Sequence, residues 1–172
     1  MAETISIIAD IALTLSLIVG LVFGIAQVNA AARDRRERLT IGTLRNFQTR
    51  ETVDLMLFVS TRTFPINQKE FRSLPTEEQA MLFQFGQEME SLGLLLAEKF
   101  ISIDLVDKTL GSFVVTAWEK YKPLFVDLRE KQPDPFLGEY FQWMAERIDD
   151  RMKNNPRTPF HLSNISPRVN AG

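Results

Sequence analysis

The longest uninterrupted apolar run of the chain lies near its start, where Ile11 to Val28 hold eighteen residues without a charge. At 1.5 Å per helical residue this run reaches about 27 Å, close to the hydrocarbon thickness of a bilayer, so it predicts a membrane-spanning helix. Ile5 to Ile8 extend the span into the interface. Within it Ala12, Ser16, Gly20 and Gly24 recur every fourth residue and form one stripe of small side chains. Such a stripe lets two helix backbones approach closely in lipid, although small residues are frequent in any spanning helix. A cleavable signal peptide is the rival reading, since Val28 and Ala30 mimic a small-residue cleavage site. Glu3, the absence of a basic residue before the run and the length of the run all favour a retained anchor.

Beyond the span the pattern stays helical. No proline interrupts residues 30–64, and Ala30, Ala31, Ala32, Arg33, Glu37 and Arg38 are good helix formers, so the spanning helix is expected to continue as a stalk with Gly42 as a bend. Val53 to Val59 is apolar on nearly every side, which predicts a largely buried segment where stalk becomes core. Phe64-Pro65 stops it, and a short helix opened by Asn67 and Glu70 fits before Pro75. Thr76 with Gln79 three residues on reads as a capping box for a helix over 76–100, whose core face is Leu82, Phe85, Met89, Leu92 and Leu96.

Ser102 and Asp104 can cap the following helix, in which Val106, Leu110, Phe113, Ala117, Tyr121, Leu124 and Leu128 keep a three-or-four spacing. Pro123 should kink that helix or split it near Tyr121, and Gln132-Pro133 should end it. Asp134-Pro135 then offers an N-cap and first residue for a last helix carrying Phe136, Tyr140, Met144, Ile148 and Met152 on one face to about Lys153. From Asn154 onward Asn, Ser and Pro dominate, which predicts an extended or disordered tail containing the unspecific Pro156-x-x-Pro159 pattern. The expected fold class is therefore all-α: an anchor at 1–29, a basic collar and stalk helix at 30–52, a bundle of about four helices at 53–153, and a flexible tail at 154–172.

Charge adds topology. The net charge of −2 hides six arginines within residues 33–50, opposed there only by Asp34 and Glu37, while residues 51–172 are acidic. Arg33, Arg35, Arg36 and Arg38 directly follow the span, and basic residues are retained on the cytoplasmic side. The N-terminus is thus expected outside and the C-terminal domain in the cytoplasm, at a plasma or inner membrane. The same collar can meet anionic lipid headgroups at about 1 kcal/mol per residue. It lacks interleaved aromatics, so no nucleic-acid partner is expected. Asp10 is expected in the headgroup region, where the positive end of the helix dipole favours it, rather than as an intramembrane ion group.

Candidate chemistry is sparse. There is no cysteine, hence no disulfide framework and no thiolate nucleophile or ligand, and the one histidine, His161, falls in the tail. Nucleophile elbow, zinc-protease, phosphate-loop, dinucleotide and calcium-loop motifs are absent, and the acidic pairs Glu77-Glu78 and Asp149-Asp150 are sequence neighbours that point apart on helices. No catalytic residue, metal ligand or cofactor is assigned. Gly86, Gly93 and Ala97 share a stripe with Glu90, which predicts a close helix crossing beside an acidic group, with Arg45 or Arg50 as its ion-pair partner. Trp118, Tyr140 and Trp143 are the candidate aromatics for a ligand or partner, set against a plain packing role.

Taken together, Leu44-Arg-Asn-Phe-Gln-Thr-Arg-Glu51, Glu90-Ser-Leu-Gly-Leu-Leu95, Trp118-Glu119 and Phe141-Gln-Trp-Met-Ala-Glu-Arg147, in this order after a single span, resemble an uncharacterised bacterial family of small membrane-anchored helical proteins, a domain of unknown function. The resemblance covers about residues 5–153 and implies bacterial origin, topology and helix order, with no activity attached. The functional expectation is a non-enzymatic interaction subunit, a homo-oligomer or part of a larger membrane complex. The alternatives are a small-ligand sensor binding between the helices and an accessory subunit of a respiratory or photosynthetic assembly.

Overall fold

The computed structural model describes residues 2–131 and 134–162, and every regular element among them is helical. The side chains of residues 2–6, 8–11 and 160 lie outside the description, and with them the expectation for Asp10; so do Gln132-Pro133 and the tail beyond Leu162. Helix α1 spans Ala2–Asn46 and counts 45 residues. At 1.5 Å per residue it is roughly 68 Å long. It is long and apolar enough to cross a membrane, with a mean hydropathy of 1.9 in its most apolar window and none of that window buried. The helix runs on through Gly42 to Asn46 without interruption.

The stalk is not continuous to residue 52, however. Asn46, Thr49 and Thr52 compete for the backbone: the Thr52 hydroxyl donates to the Asn46 carbonyl at 3.0 Å, and Thr49 Oγ1 accepts the Thr52 N–H at 3.3 Å. These bonds end α1 and cap a new helix, α2, over Arg50–Thr61. Nor is Val53–Val59 buried all round. Thr52, Leu55 and Val59 face the core, while Val53 and Leu57 stay exposed. The other end of α2 is closed by Lys120, whose ammonium donates to the Val59 and Ser60 carbonyls, each at 2.7 Å.

Helix α3, Gln68–Ser73, is opened as expected by Asn67 with Glu70: the Glu70 N–H donates to Asn67 Oδ1 at 2.9 Å, and Glu70 Oε2 reaches back one residue beyond the cap to accept the Ile66 N–H at 3.0 Å. Helix α4, Thr76–Ala97, buries all of Leu82, Phe85, Met89, Leu92 and Leu96. Its start differs from the expected capping box, because Thr76 is already helical and Pro75 is the cap, with Gln79 Nε2 donating back to the Leu74 carbonyl at 2.8 Å. Lys99, at φ 60°, turns the chain out of α4 as the Lys99 and Phe100 N–H groups close on the Leu96 and Leu95 carbonyls, both at 3.0 Å.

Helix α5 runs unbroken from Ile103 to Lys131 and passes through Pro123 without splitting. Glu119 and Pro123 are both on the exposed side, so the carbonyl that Pro123 cannot serve is left to water. Asp134-Pro135 does not start the last helix. Asp134 Oδ1 accepts the Phe136 N–H at 3.0 Å in a turn, Gly138 takes φ 71°, and α6 covers Glu139–Asn154. The later start brings Phe141 and Ala145 into the core with Met144 and Ile148, and leaves Phe136 exposed.

The core lies between α4, α5 and α6 and is strongly aromatic. Phe141 meets Trp118 and Tyr121 edge-on at 5.2 and 5.7 Å between ring centroids, and Phe85 stacks on Tyr121 at 5.6 Å. The expected crossing at the small-residue stripe is present. A Cβ on Gly93 would stand 2.2 Å from the Tyr140 carbonyl oxygen, so α4 and α6 touch backbone to backbone there.

Candidate functional site

Three regions hold the residues singled out from the sequence. The first is α1 itself. Every residue from Ala12 to Leu39 is exposed, so among the described residues nothing covers Ala12, Ser16, Gly20 and Gly24, and an added Cβ at Gly20 or Gly24 would meet nothing within 4 Å. In the collar, Arg38 pairs with Asp34 at 2.9 Å and Arg33 with Glu37 at 3.5 Å along the helix surface. Arg35 and Arg36 make no ion pair among the described residues and are exposed.

The second region is the start of α6. Glu90 projects from α4 to this point, its Oε2 accepting the Phe141 N–H at 2.8 Å and its Oε1 the Tyr140 N–H at 3.2 Å. It thereby satisfies two of the unpaired donors at the helix N-terminus and places negative charge at the positive end of the dipole. The expected ion pair with Arg45 or Arg50 is not formed. Arg50 instead faces Asp54 at 3.9 Å, and Arg45 borders a groove between the end of α1 and α5. The physical reason is that the turn at 134–138 delivers helix donors to Glu90, so its charge needs no cation.

Trp118, Tyr140 and Trp143 do not converge. Trp118 is buried and stacks on Phe125 at 5.7 Å, Tyr140 is half-buried beside Gly93, and Trp143 is exposed. The neighbouring Glu139 carboxylate raises the Tyr140 phenol above its ordinary value. A cleft of about 310 Å³ opens elsewhere, between α3, α4 and α5 and the turn before α6. Phe71, Phe83 and Phe125 form its apolar walls, Gly86 leaves space on α4, and Glu90 and Tyr121 supply polar atoms. Tyr121 donates its hydroxyl to the Leu82 carbonyl at 2.9 Å, and burial pushes its pKa up, so it stays protonated. The Gly86 and Glu90 stripe was legible as a crossing; the phenylalanines across it were not, because they come from distant segments.

The third region joins α5, α6 and the tail, and was invisible in the sequence. Asp107 is buried, and Arg151 Nε and Arg157 Nη2 each approach its carboxylate at 3.5 Å. Arg157 also donates to the Asp107 carbonyl at 3.1 Å. The tail, expected to be flexible, is thus fastened at Arg157. Asp104 alongside is held below its ordinary value by its hydrogen bond from Lys108, with Arg151 also close. Gly111 makes room for this cluster, since a Cβ there would stand 2.7 Å from Asp107 Oδ1. Among the described residues no group of three or more His, Asp or Glu side chains could hold a metal ion.

No curated protein and no solved structure matches the chain. Residues 7–148 match DUF4760, a domain of unknown function, and because this match takes in both α1 and the helical domain, the chain belongs to that family.

Proposed function

We propose that this protein is a membrane-anchored interaction subunit of a bacterial inner membrane, with one span and its helical domain on the cytoplasmic side. The observation that carries the reading is that every residue of α1 from Ala12 to Leu39 is exposed among the described residues, while its apolar part alone matches a bilayer in length. A soluble protein would bury such a surface. The arginine collar supports the orientation, since Arg33, Arg35, Arg36 and Arg38 follow the apolar stretch while residues 1–10 on its other side hold Glu3 and Asp10 and no Lys or Arg. The open stripe of Ala12, Ser16, Gly20 and Gly24 supports association with a second helix in the lipid.

Native mass spectrometry of the detergent-extracted full chain tests the association, with Gly20→Leu and Gly24→Leu as comparisons. Loss of the oligomer, or of a co-purifying subunit from native membranes, in both variants is expected. Association that is unchanged in both removes the stripe as the contact. Recovery of the intact chain from the soluble fraction after lysis overturns the anchored reading as a whole.

A further inference from the structure

We propose that the cleft between α3, α4 and α5 binds a small hydrophobic amine, an apolar body with a single cationic head. This inference is independent of what α1 does in the membrane. A volume of about 310 Å³ falls at the small end of the range of ligand sites. Its walls are aromatic, from Phe71 on α3, Phe83 on α4 and Phe125 on α5, and would receive a ring or a compact hydrocarbon.

The polar inventory sets the head group. Tyr121 has one proton and spends it on the Leu82 carbonyl, so it offers no donor. Glu90 is the acidic residue of the lining, and each of its oxygens accepts one backbone N–H from the start of α6. A carboxylate has about four acceptor positions, so accepting capacity remains on both oxygens. Arg72 and Gln87, also of the lining, are exposed, so water and salt screen the guanidinium, and the half-buried Gln68 is an uncharged amide, which leaves Glu90 as the one less-exposed charge of the lining. A ligand entering this space therefore meets aromatic faces and an unsaturated carboxylate, which together favour an ammonium group through a charge-assisted hydrogen bond and cation–π contact. Gly86 is what keeps the space open. A Cβ there would come no nearer than 3.8 Å to Phe125 and Tyr121, so a methyl group fits at this position without displacing backbone.

Isothermal titration of the full chain in zwitterionic nanodiscs with tryptamine and with tryptophol, its neutral counterpart of the same shape, tests this. Tryptamine is expected to bind about tenfold more tightly than tryptophol, the ratio typical of a hydrogen bond to a charged group. Glu90→Gln should bring tryptamine down to the level of tryptophol. Gly86→Leu fills the cleft and should abolish binding of both, and because probe partition into lipid is common to all the proteins it cancels in the comparison. Should Glu90→Gln loosen α6, visible as lost helicity, the Gly86→Leu result still decides. The proposal is overturned by failure of tryptamine to bind the unmodified chain, by equal binding of the two probes, or by binding undiminished in Gly86→Leu.

Discussion

Thr40 Oγ1 accepts the backbone N–H of Ser102 at 2.8 Å, across 62 residues of sequence, while its own hydroxyl proton goes to the Arg36 carbonyl at 2.7 Å. The bond ties the C-terminal end of the long helix α1 to the loop that leads into α5. Thr40 is completely buried, unlike every residue before it back to Ala12. Thr40→Val keeps the shape and removes the acceptor, and should cost about 1–2 kcal/mol, the usual result of stranding one buried partner. Thr40→Ser should cost little. Thermal unfolding followed by circular dichroism, with amide exchange at Ser102, checks both.

The backbone contact of Gly93 with Tyr140 predicts an unusually severe Gly→Ala substitution. With the Tyr140 carbonyl oxygen 2.2 Å from the new methyl, α6 must move, and Gly93→Ala should destabilise the fold by about 3 kcal/mol or more. Gly42→Ala, inside α1 with nothing within 4 Å, should instead gain about 0.5–1 kcal/mol from helix propensity. Paired denaturant titrations separate the two.

Arg157 should fasten the tail without supporting the fold. Its side chain is 43% exposed in its contact with Asp107, so the pair contributes little to global stability. Arg157→Ala is expected to leave the melting temperature nearly unchanged and to speed limited proteolysis around Asn155–Leu162 several-fold. A matched fall in melting temperature would show that the clasp supports the core.

Acid should release α3 from α5. Asp127 accepts the Gln68 N–H at 2.8 Å and is held below its ordinary value of 3.8, first by its hydrogen bond from Lys131 and then by that N–H. A carboxylate lowered on folding stabilises the fold above its ordinary value, and the contribution fades as pH falls through the lowered one. Protection of the Gln68 amide from exchange should therefore hold at neutral pH and decline below about pH 3.8. Asp127→Ala, which has no acceptor, should show low protection throughout.

Much of the architecture was legible because helices announce themselves locally. The α4 core face was read correctly in all five positions from Leu82 to Leu96, and Asn67 with Glu70 marked α3, since periodicity and capping depend on residues three or four apart. The elbow at Phe47–Thr49 was missed because its hydroxyls compete with a helix pattern that otherwise continues. The start of α6 was misplaced for a related reason. Asp134-Pro135 is a good opening on paper, but the helix begins where Gly138 turns and where Glu90, far away in sequence, supplies the acceptor for its first N–H groups.

By itself the sequence determined that the protein is helical, where its apolar stretch lies and which side of that stretch is basic, because each of these properties is carried by neighbouring residues. Only the tertiary structure decided what Glu90 does, how Asp107 gathers Arg151 and Arg157, and that Phe71, Phe83 and Phe125 share one cleft. Charge partners and cavity walls are chosen by how α3 to α6 pack, and sequence distance carries no information about that choice.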